Sequence, residues 1–474
     1  MRFLSCLILF VLAAAQAAPA ATISLSRVLS NDIGPIVDAV EIPGAGNESK
    51  LLAITLGGTL AVVDRSVVDP TMRATTVFGA ITANGDPLGA GDSPIGLALA
   101  PDFETSGEVY IASRLRVGPV GDEGPATVVE RWRLDPGTLA PDGASPGPEA
   151  IAFFDYPDSA AIDHRGGAID FDPSGNILVT TGDGSSGVGA GSRAENQDFD
   201  NNLGAVFRID PSGDDFPGDG LNNWSVPSDN PNFDSSPDLV DGAIARGLRN
   251  PFKLKADGDF ILIGDVGELD REEINLFRLD QDLGSVVNYQ WPVFEGTIPG
   301  PEPGVTENPA SISRGPLYEY LHGSGPFEGN SVTGGIVGRG LTPGLAPLEG
   351  HYLFADFERS DDTQTILSFD FDPDETSVSD VFIWDLLFPN GDGPVGRIIS
   401  IAQDAGGAIY LSDLGGNLFA ASEATVSAVP LPPTALLLGA ALALPWLRRR
   451  ASSRRRRSLP KDRSQRAATP TPRG

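Results

Sequence analysis

"HRGGAIDFDPSGNILVTTGDG", residues 164–184, sets two short apolar runs, around Ile169 to Phe171 and Ile177 to Val179, on either side of Asp172-Pro173-Ser174-Gly175. Alternating apolar residues predict strands, and an Asp-x-x-Gly step predicts the tight turn that folds one strand back on the other. The same pattern recurs as "GLALAPDFETSGEVYIAS" (96–113), "LKADGDFILIGDVG" (254–267) and "SIAQDAGGAIYLSDLGGNLFAA" (400–421), with a weaker copy, "LLAITLGGTLAVVD" (51–64). Helical periodicity is nearly absent, and 57 Gly and 40 Pro interrupt any long helix. The expectation is an all-β chain. A repeated hairpin over some 400 residues suits a β-propeller, because radial blades shield most strand edges. At about 65 residues per blade, loops included, six blades result; seven compact blades or a pair of sandwiches also satisfy the spacing.

The 474 residues carry 64 acidic and 33 basic side chains, a formal charge of −31. Those before Arg448 hold 63 acidic and 22 basic residues, leaving the body near −41. Such a charge disfavours nucleic acid, whose binding needs Lys and Arg against phosphates, and disfavours anionic membrane surfaces. The start, "MRFLSCLILFVLAAAQAAPAA", predicts a secretory signal peptide over residues 1–21. Its Cys6 is the sole cysteine, so an exported chain has no disulfide. At the other end, Val429-Pro430-Leu431-Pro432, an apolar stretch and an Arg cluster succeed one another. This resembles the Val-Pro-Leu-Pro form of bacterial sorting signals read by exosortases, which implies an exosortase-type processing enzyme as partner. A permanent short anchor is the other reading. The domain expectation is a propeller over 22–425, a sorting signal or short transmembrane helix over 429–450 and a basic tail over 451–474.

Four polar clusters sit at strand ends. His164 stands at the entrance of the quoted hairpin and Asp183 at its exit, and an imidazole titrates near neutrality, as a general base requires. Arg249 and Asn250, in "GLRNPFKL", offer a rigid fork for a carboxylate or an oxyanion. "IGDVGELDREEINLF" gathers Asp265, Glu268, Asp270, Glu272 and Glu273 around Gly267, where oxygen donors for a hard cation are densest. "NYQWPVFEG" supplies Trp291, an aromatic face for a planar ligand or a sugar ring. Each has a plainer reading: a loop histidine that only donates a hydrogen bond, an Arg-Asn-Pro turn, a solvated "DREE" face, and a core tryptophan.

In this order the motifs resemble the soluble aldose, or glucose and sorbosone, dehydrogenases that depend on pyrroloquinoline quinone. The resemblance runs over roughly residues 90–420 and includes "NQDFDNNLGAVFRID", "GDVGELDREEINLF" and "SVTGGIVGRG". It implies a six-bladed propeller with pyrroloquinoline quinone and calcium as cofactors, a small-molecule sugar substrate and an external electron acceptor. It further implies His164 as the general base, Asp183 as the carboxylate that orients it, and Arg249 and Asn250 as quinone contacts, with Arg249 stabilising charge on the reduced carbonyl. The backbone carbonyls of Gly267 and Glu268 would hold calcium, Trp291 belongs to the aromatic motif, and Arg397 would meet a cofactor carboxylate. Three departures stand beside it. No Gln precedes "IGLALA", Ile399 occupies the place of a second arginine, and the body's lysines are Lys50, Lys253 and Lys255. The rival expectations are a binding or matrix propeller that has lost the quinone, and a calcium-dependent hydrolase acting on lactones.

Overall fold

The computed structural model describes residues 21–426, apart from 80, 84–85, 89–91, 118–123, 145–146, 157–162, 186–192, 233–237, 359–365, 373–377 and 379–380. The expected sorting tail and the expected signal peptide lie outside the described residues, except Ala21, which the expectation gave to the signal peptide and which instead begins the first strand, buried and paired. The expected hairpins form where the alternation placed them. In the quoted stretch, Ile169–Phe171 pairs antiparallel with Ile177–Thr180, Ile169 opposite Val179. Asp172 is the reason the turn closes: its Oδ1 accepts the backbone N–H groups of Ser174 and Asn176, both at 2.8 Å. Gly175 takes the left-handed φ of +86° that the return demands. Asp404 repeats the device, accepting the N–H of Ala408 at 2.9 Å before the next strand.

Each hairpin is extended into a meander of four strands, to which the sheet of the quoted hairpin adds two short strands, Val287–Asn288 and Ile312–Ser313. Six strands, Ile36–Glu41, Ser93–Leu99, Ile169–Phe171, Pro251–Asp257, Val332–Val337 and Ile398–Gln403, each begin one. Each packs against the next, and the last packs against the first, so the six enclose a channel. The N-terminal strand Ala21–Ser30 closes the circle by pairing antiparallel with the C-terminal Asn417–Val426, Leu25 opposite Ala421. This is an all-β propeller, as expected. Its core is divided between the sheets: Leu52 and Ile54 pack with Leu97 and Ile111, Ile177 and Phe207 with Tyr110 and Phe154, and Ile263 and Phe277 with Ala245 and Leu248.

Two features position the site. The ring strands all begin at one mouth of the channel and end at the other, so residues just before them converge. Across the middle runs Lys253, whose Nζ donates to the carbonyls of Val37 at 2.7 Å and Ile95 at 2.9 Å and lies 3.2 Å from Asp38. One buried cation thereby ties three meanders together.

Candidate active site at the channel mouth

His164 and Arg249 are 85 positions apart, and the segment Thr181-Gly182-Asp183-Gly184-Ser185 joins them. The N–H of Asp183 donates to the carbonyl of Arg249 at 2.7 Å, and the N–H of Gly184 donates to that of His164 at 2.9 Å. Between them Gly182 has no room for a side chain: a Cβ there would lie 2.2 Å from the His164 carbonyl and 3.0 Å from that of Arg249. The Thr-Gly-Asp motif is thus the seam of the site.

The histidine is held at Nδ1. Ser185 Oγ lies 2.8 Å from it and Asp183 Oδ1 3.4 Å. Ser185 is therefore the nearer partner, and the quoted stretch stops one residue short of it. Asp183 is fully buried, and its Oδ2 accepts the indole N–H of Trp291 at 2.8 Å. Burial alone would raise this carboxyl; the contacts to His164 and Ser185 and the Arg249 charge bring it below the ordinary carboxylate value. An anion there favours the tautomer with hydrogen on Nδ1, leaving the Nε2 lone pair for chemistry. His164 lines a cavity of about 180 Å³ with Arg114, Asp163, Asn250, Ser331 and Phe357 among its neighbours.

Trp291 is 3 % exposed and stacks on the Arg249 guanidinium at 5.5 Å. It supports the site from beneath instead of offering a face to the cavity, so the plainer reading of Trp291 is the better one. The Arg249 Nη1 donates to the carbonyls of Val266, at 2.9 Å, and Gly267. The turn expected to offer calcium the carbonyls of Gly267 and Glu268 thus has the first of them engaged by a fixed cation. The Glu268 side chain pairs with Arg193. A calcium ion against the Gly267 oxygen would face that guanidinium, so the residues present do not fit the expected ion.

The acidic run is neither a solvated face nor a convergent cage. Glu272 and Glu273 are buried on Arg271–Arg278. Glu272 accepts from Val332 N at 2.8 Å and meets His322 Nε2 at 2.6 Å. Glu273 sits opposite Asp265 across the strands. Burial pushes both carboxyls up, Asp265 to about 7 and Glu273 to about 8, each also raised by the other acids nearby. Among the described residues no group of three His, Cys, Asp or Glu side chains converges in a way that could hold a metal ion. Glu295 fixes the turn itself: one oxygen accepts the N–H groups of Glu268, Leu269, Asp270 and Arg271 at 2.7–3.2 Å.

Arg397 stands apart from this constellation. It is exposed, pairs with Glu358 at 3.0 Å and lies over the Phe357 ring at the rim. Ile399 is buried among apolar residues. Sequence reasoning missed Arg114, which comes from the second strand of its meander, Glu108–Val117. No motif marks that position, and only the ring geometry brings it to His164.

Among the described residues, the buried polar atoms around this mouth without a hydrogen-bond partner include Arg114 Nη2, Arg249 Nε and Asn250 Oδ1. Unsatisfied buried groups are costly, and a cluster of them beside a cavity marks a place for a polar ligand. The two guanidinium nitrogens are donors that fit a carboxylate or carbonyl oxygen, and Asn250 Oδ1 is an acceptor that fits a hydroxyl or N–H group.

Known proteins bear on this geometry. Solved structures with a similar fold include a glucose dehydrogenase (18 % identity, 85 % of this chain and 99 % of that one, TM-score 0.60). The soluble aldose sugar dehydrogenase of Escherichia coli in its apo form is comparable (17 %, 85 % and 100 %, 0.59). So is the PQQ-bound aldose sugar dehydrogenase of Streptomyces coelicolor (19 %, 86 % and 100 %, 0.53). A curated relative, the HIPL2 protein of Arabidopsis thaliana, is 32 % identical over 212 residues, 40 % of this chain and 28 % of that protein's length. The family model for glucose/sorbosone dehydrogenase matches residues 57–320, more than half the chain. These residues include the hairpin, the seam and the Arg-Asn-Pro turn, and the chain belongs to the glucose/sorbosone dehydrogenase family.

Proposed function

We propose that this chain is an exported sugar dehydrogenase that oxidises an aldose or a related alcohol with bound pyrroloquinoline quinone and passes the electrons to an external acceptor. The observation that carries the reading is the imidazole of His164, held at Nδ1 and lining a cavity together with Asn250, whose Oδ1 is buried without a partner. When bound, the quinone supplies a two-electron acceptor for the hydride on the substrate's hydroxyl-bearing carbon. His164 takes the hydroxyl proton at Nε2, so the substrate loses one hydride and one proton and becomes a carbonyl compound. Asp183 stabilises the imidazolium that results. Arg249 and Asn250 orient the ligand, and the buried aromatic floor of Trp291 keeps Arg249 in place. Nothing in this chemistry is routed through calcium. Arg397 meets a carboxylate only at the rim, after parting from Glu358.

The Arg249 contact with Gly267 and the rim position of Arg397 favour one second reading, a propeller that binds sugars without the quinone. Export is supported by residues 1–21, and processing at the membrane by the motif at 429–432. Mass spectrometry of the protein from its native host, showing loss of both ends, is the check on these two points. For the activity, the purified protein is mixed with pyrroloquinoline quinone and a redox dye and given a panel of sugars. Turnover that falls by roughly 10²-fold or more in His164→Ala supports the reading. Absence of turnover together with absence of quinone binding leaves the second reading.

A further inference from the structure

We propose that Arg114 is the carboxylate receptor of the channel-mouth cavity, an assignment that rests on this cavity being the ligand site argued above. Arg114 leaves the middle of its sheet and reaches over the start of the ring. Its Nε donates to the carbonyl of Gly166 at 3.0 Å, and its guanidinium lies 5.6 Å from the centre of the Phe252 ring. With one edge pinned and one face stacked, the fork has a fixed direction, and it lines the cavity that holds His164 and Asn250. Nη2 is buried and has no partner.

The neighbouring cations are committed elsewhere. Lys253 bonds to Val37 and Ile95, Arg249 Nη1 to Val266 and Gly267, and Arg397 to Glu358. Asp163 also borders the cavity, and its charge partly offsets the effect of burial on Arg114. Burial and the nearby Arg165 charge push the Arg114 guanidinium down to about 10, so its positive form is held at a cost that an incoming anion removes. A planar fork beside an imidazole recognises a carboxylate better than a neutral hydroxyl. The departures in the sequence, no second arginine at 399 and no free lysine, thereby find a substitute from a different blade.

That carboxylate belongs either to the quinone or to an acidic sugar, and binding measurements separate the two. Calorimetry follows wild type, Arg114→Gln and Arg114→Lys with pyrroloquinoline quinone, with its trimethyl ester, with glucuronate and with glucose; thermal melting checks the fold. The expected result is a roughly tenfold to hundredfold loss of quinone affinity in Arg114→Gln, less in Arg114→Lys, and a similar loss for the ester on wild type. If quinone binding is unchanged and glucuronate binding alone is lost, the receptor stands and its ligand is the sugar acid. Wild type that binds glucuronate through Arg114 but no quinone keeps the receptor and removes the quinone reading. Equal affinities in wild type and Arg114→Gln for both carboxylates overturn the assignment and leave the quinone reading intact. Should Arg114→Gln not fold, wild type decides: ester bound as tightly as acid, and glucose as tightly as glucuronate, overturns it. Wild type that binds neither carboxylate removes both readings.

Discussion

The two mouths of the channel are made from opposite ends of the same six strands, and they treat charge in opposite ways. At the far mouth lies the larger cavity, about 260 Å³, bordered by Lys253, Lys255, Asp257 and Arg339. Of the two mouths, it offers the more room. Its charges, however, are matched among themselves: Lys255 with Asp170 at 2.9 Å, Arg339 with Asp257 at 2.5 Å, Lys253 with Asp38 at 3.2 Å. The near mouth holds the smaller cavity, lined by Arg114 and Asn250, each with a buried atom that has no partner. Paired charges hold a fold together, whereas unpartnered polar atoms beside a cavity suit a ligand, which is why the proposed function is placed at the near mouth.

That contrast can be broken or sharpened by experiment. The largest effect belongs to Asp183→Asn, which puts an amide where Trp291 and the His164–Ser185 pair meet a carboxylate. Turnover is expected to fall by roughly 10²-fold or more while the protein stays folded; a loss below threefold would detach Asp183 from the histidine.

The second test is pH. Asp265 and Glu273 titrate at about 7 and about 8 in the fold against ordinary values of 3.8 and 4.5. A raised folded pKa means stability that is complete below the ordinary value and is lost as pH rises through the folded one. Unfolding free energy should therefore decline between about pH 4 and 8, because over that range each carboxyl stays protonated in the fold and ionises on unfolding. Denaturant titrations at pH 5 and 9 measure it, and Asp265→Asn should flatten the slope. A flat wild-type profile would show that the pair is solvated.

Lys253→Met tests the strut. It leaves two carbonyls and Asp38 without their donor, so a loss of about 1–3 kcal/mol is expected, with quinone affinity unchanged. A change in affinity instead would couple the two mouths. Smallest of all is Arg339→Gln at the far rim, where the arginine side chain is half exposed: less than about 1 kcal/mol by thermal melting. A larger loss would make the far mouth more than a surface pairing.

Local sequence made the hairpins legible because their cause is local. Asp172 and Gly175 act within a few residues, and the alternation of Ile169 and Phe171 with polar neighbours needs only a buried face. Part of the site was legible for the same reason. His164, Asp183, Arg249 and Asn250 lie within motifs whose backbones lock together, and Gly182 announces the lock. The roles of Glu272 and Glu273 were not readable, because "DREE" has the composition of a surface and only the pairing with Tyr318–Leu321 and the packing of the next meander bury it. Arg114 was invisible because a strand residue shows no sign of which neighbour it will overhang.

By itself, then, the sequence determined an all-β chain of repeated hairpins, with a histidine at a strand entrance, both consequences of contacts within a few residues, and an acidic body, a matter of composition alone. Ring closure decided the rest. It placed Ser185 nearer than Asp183 to the imidazole and turned Arg249 onto the Gly267 carbonyl. It left Arg397 at the rim and brought Arg114 into the cavity. Those outcomes depend on which distant groups satisfy one another's hydrogen bonds once water is excluded, and that is settled only when all the sheets are in place.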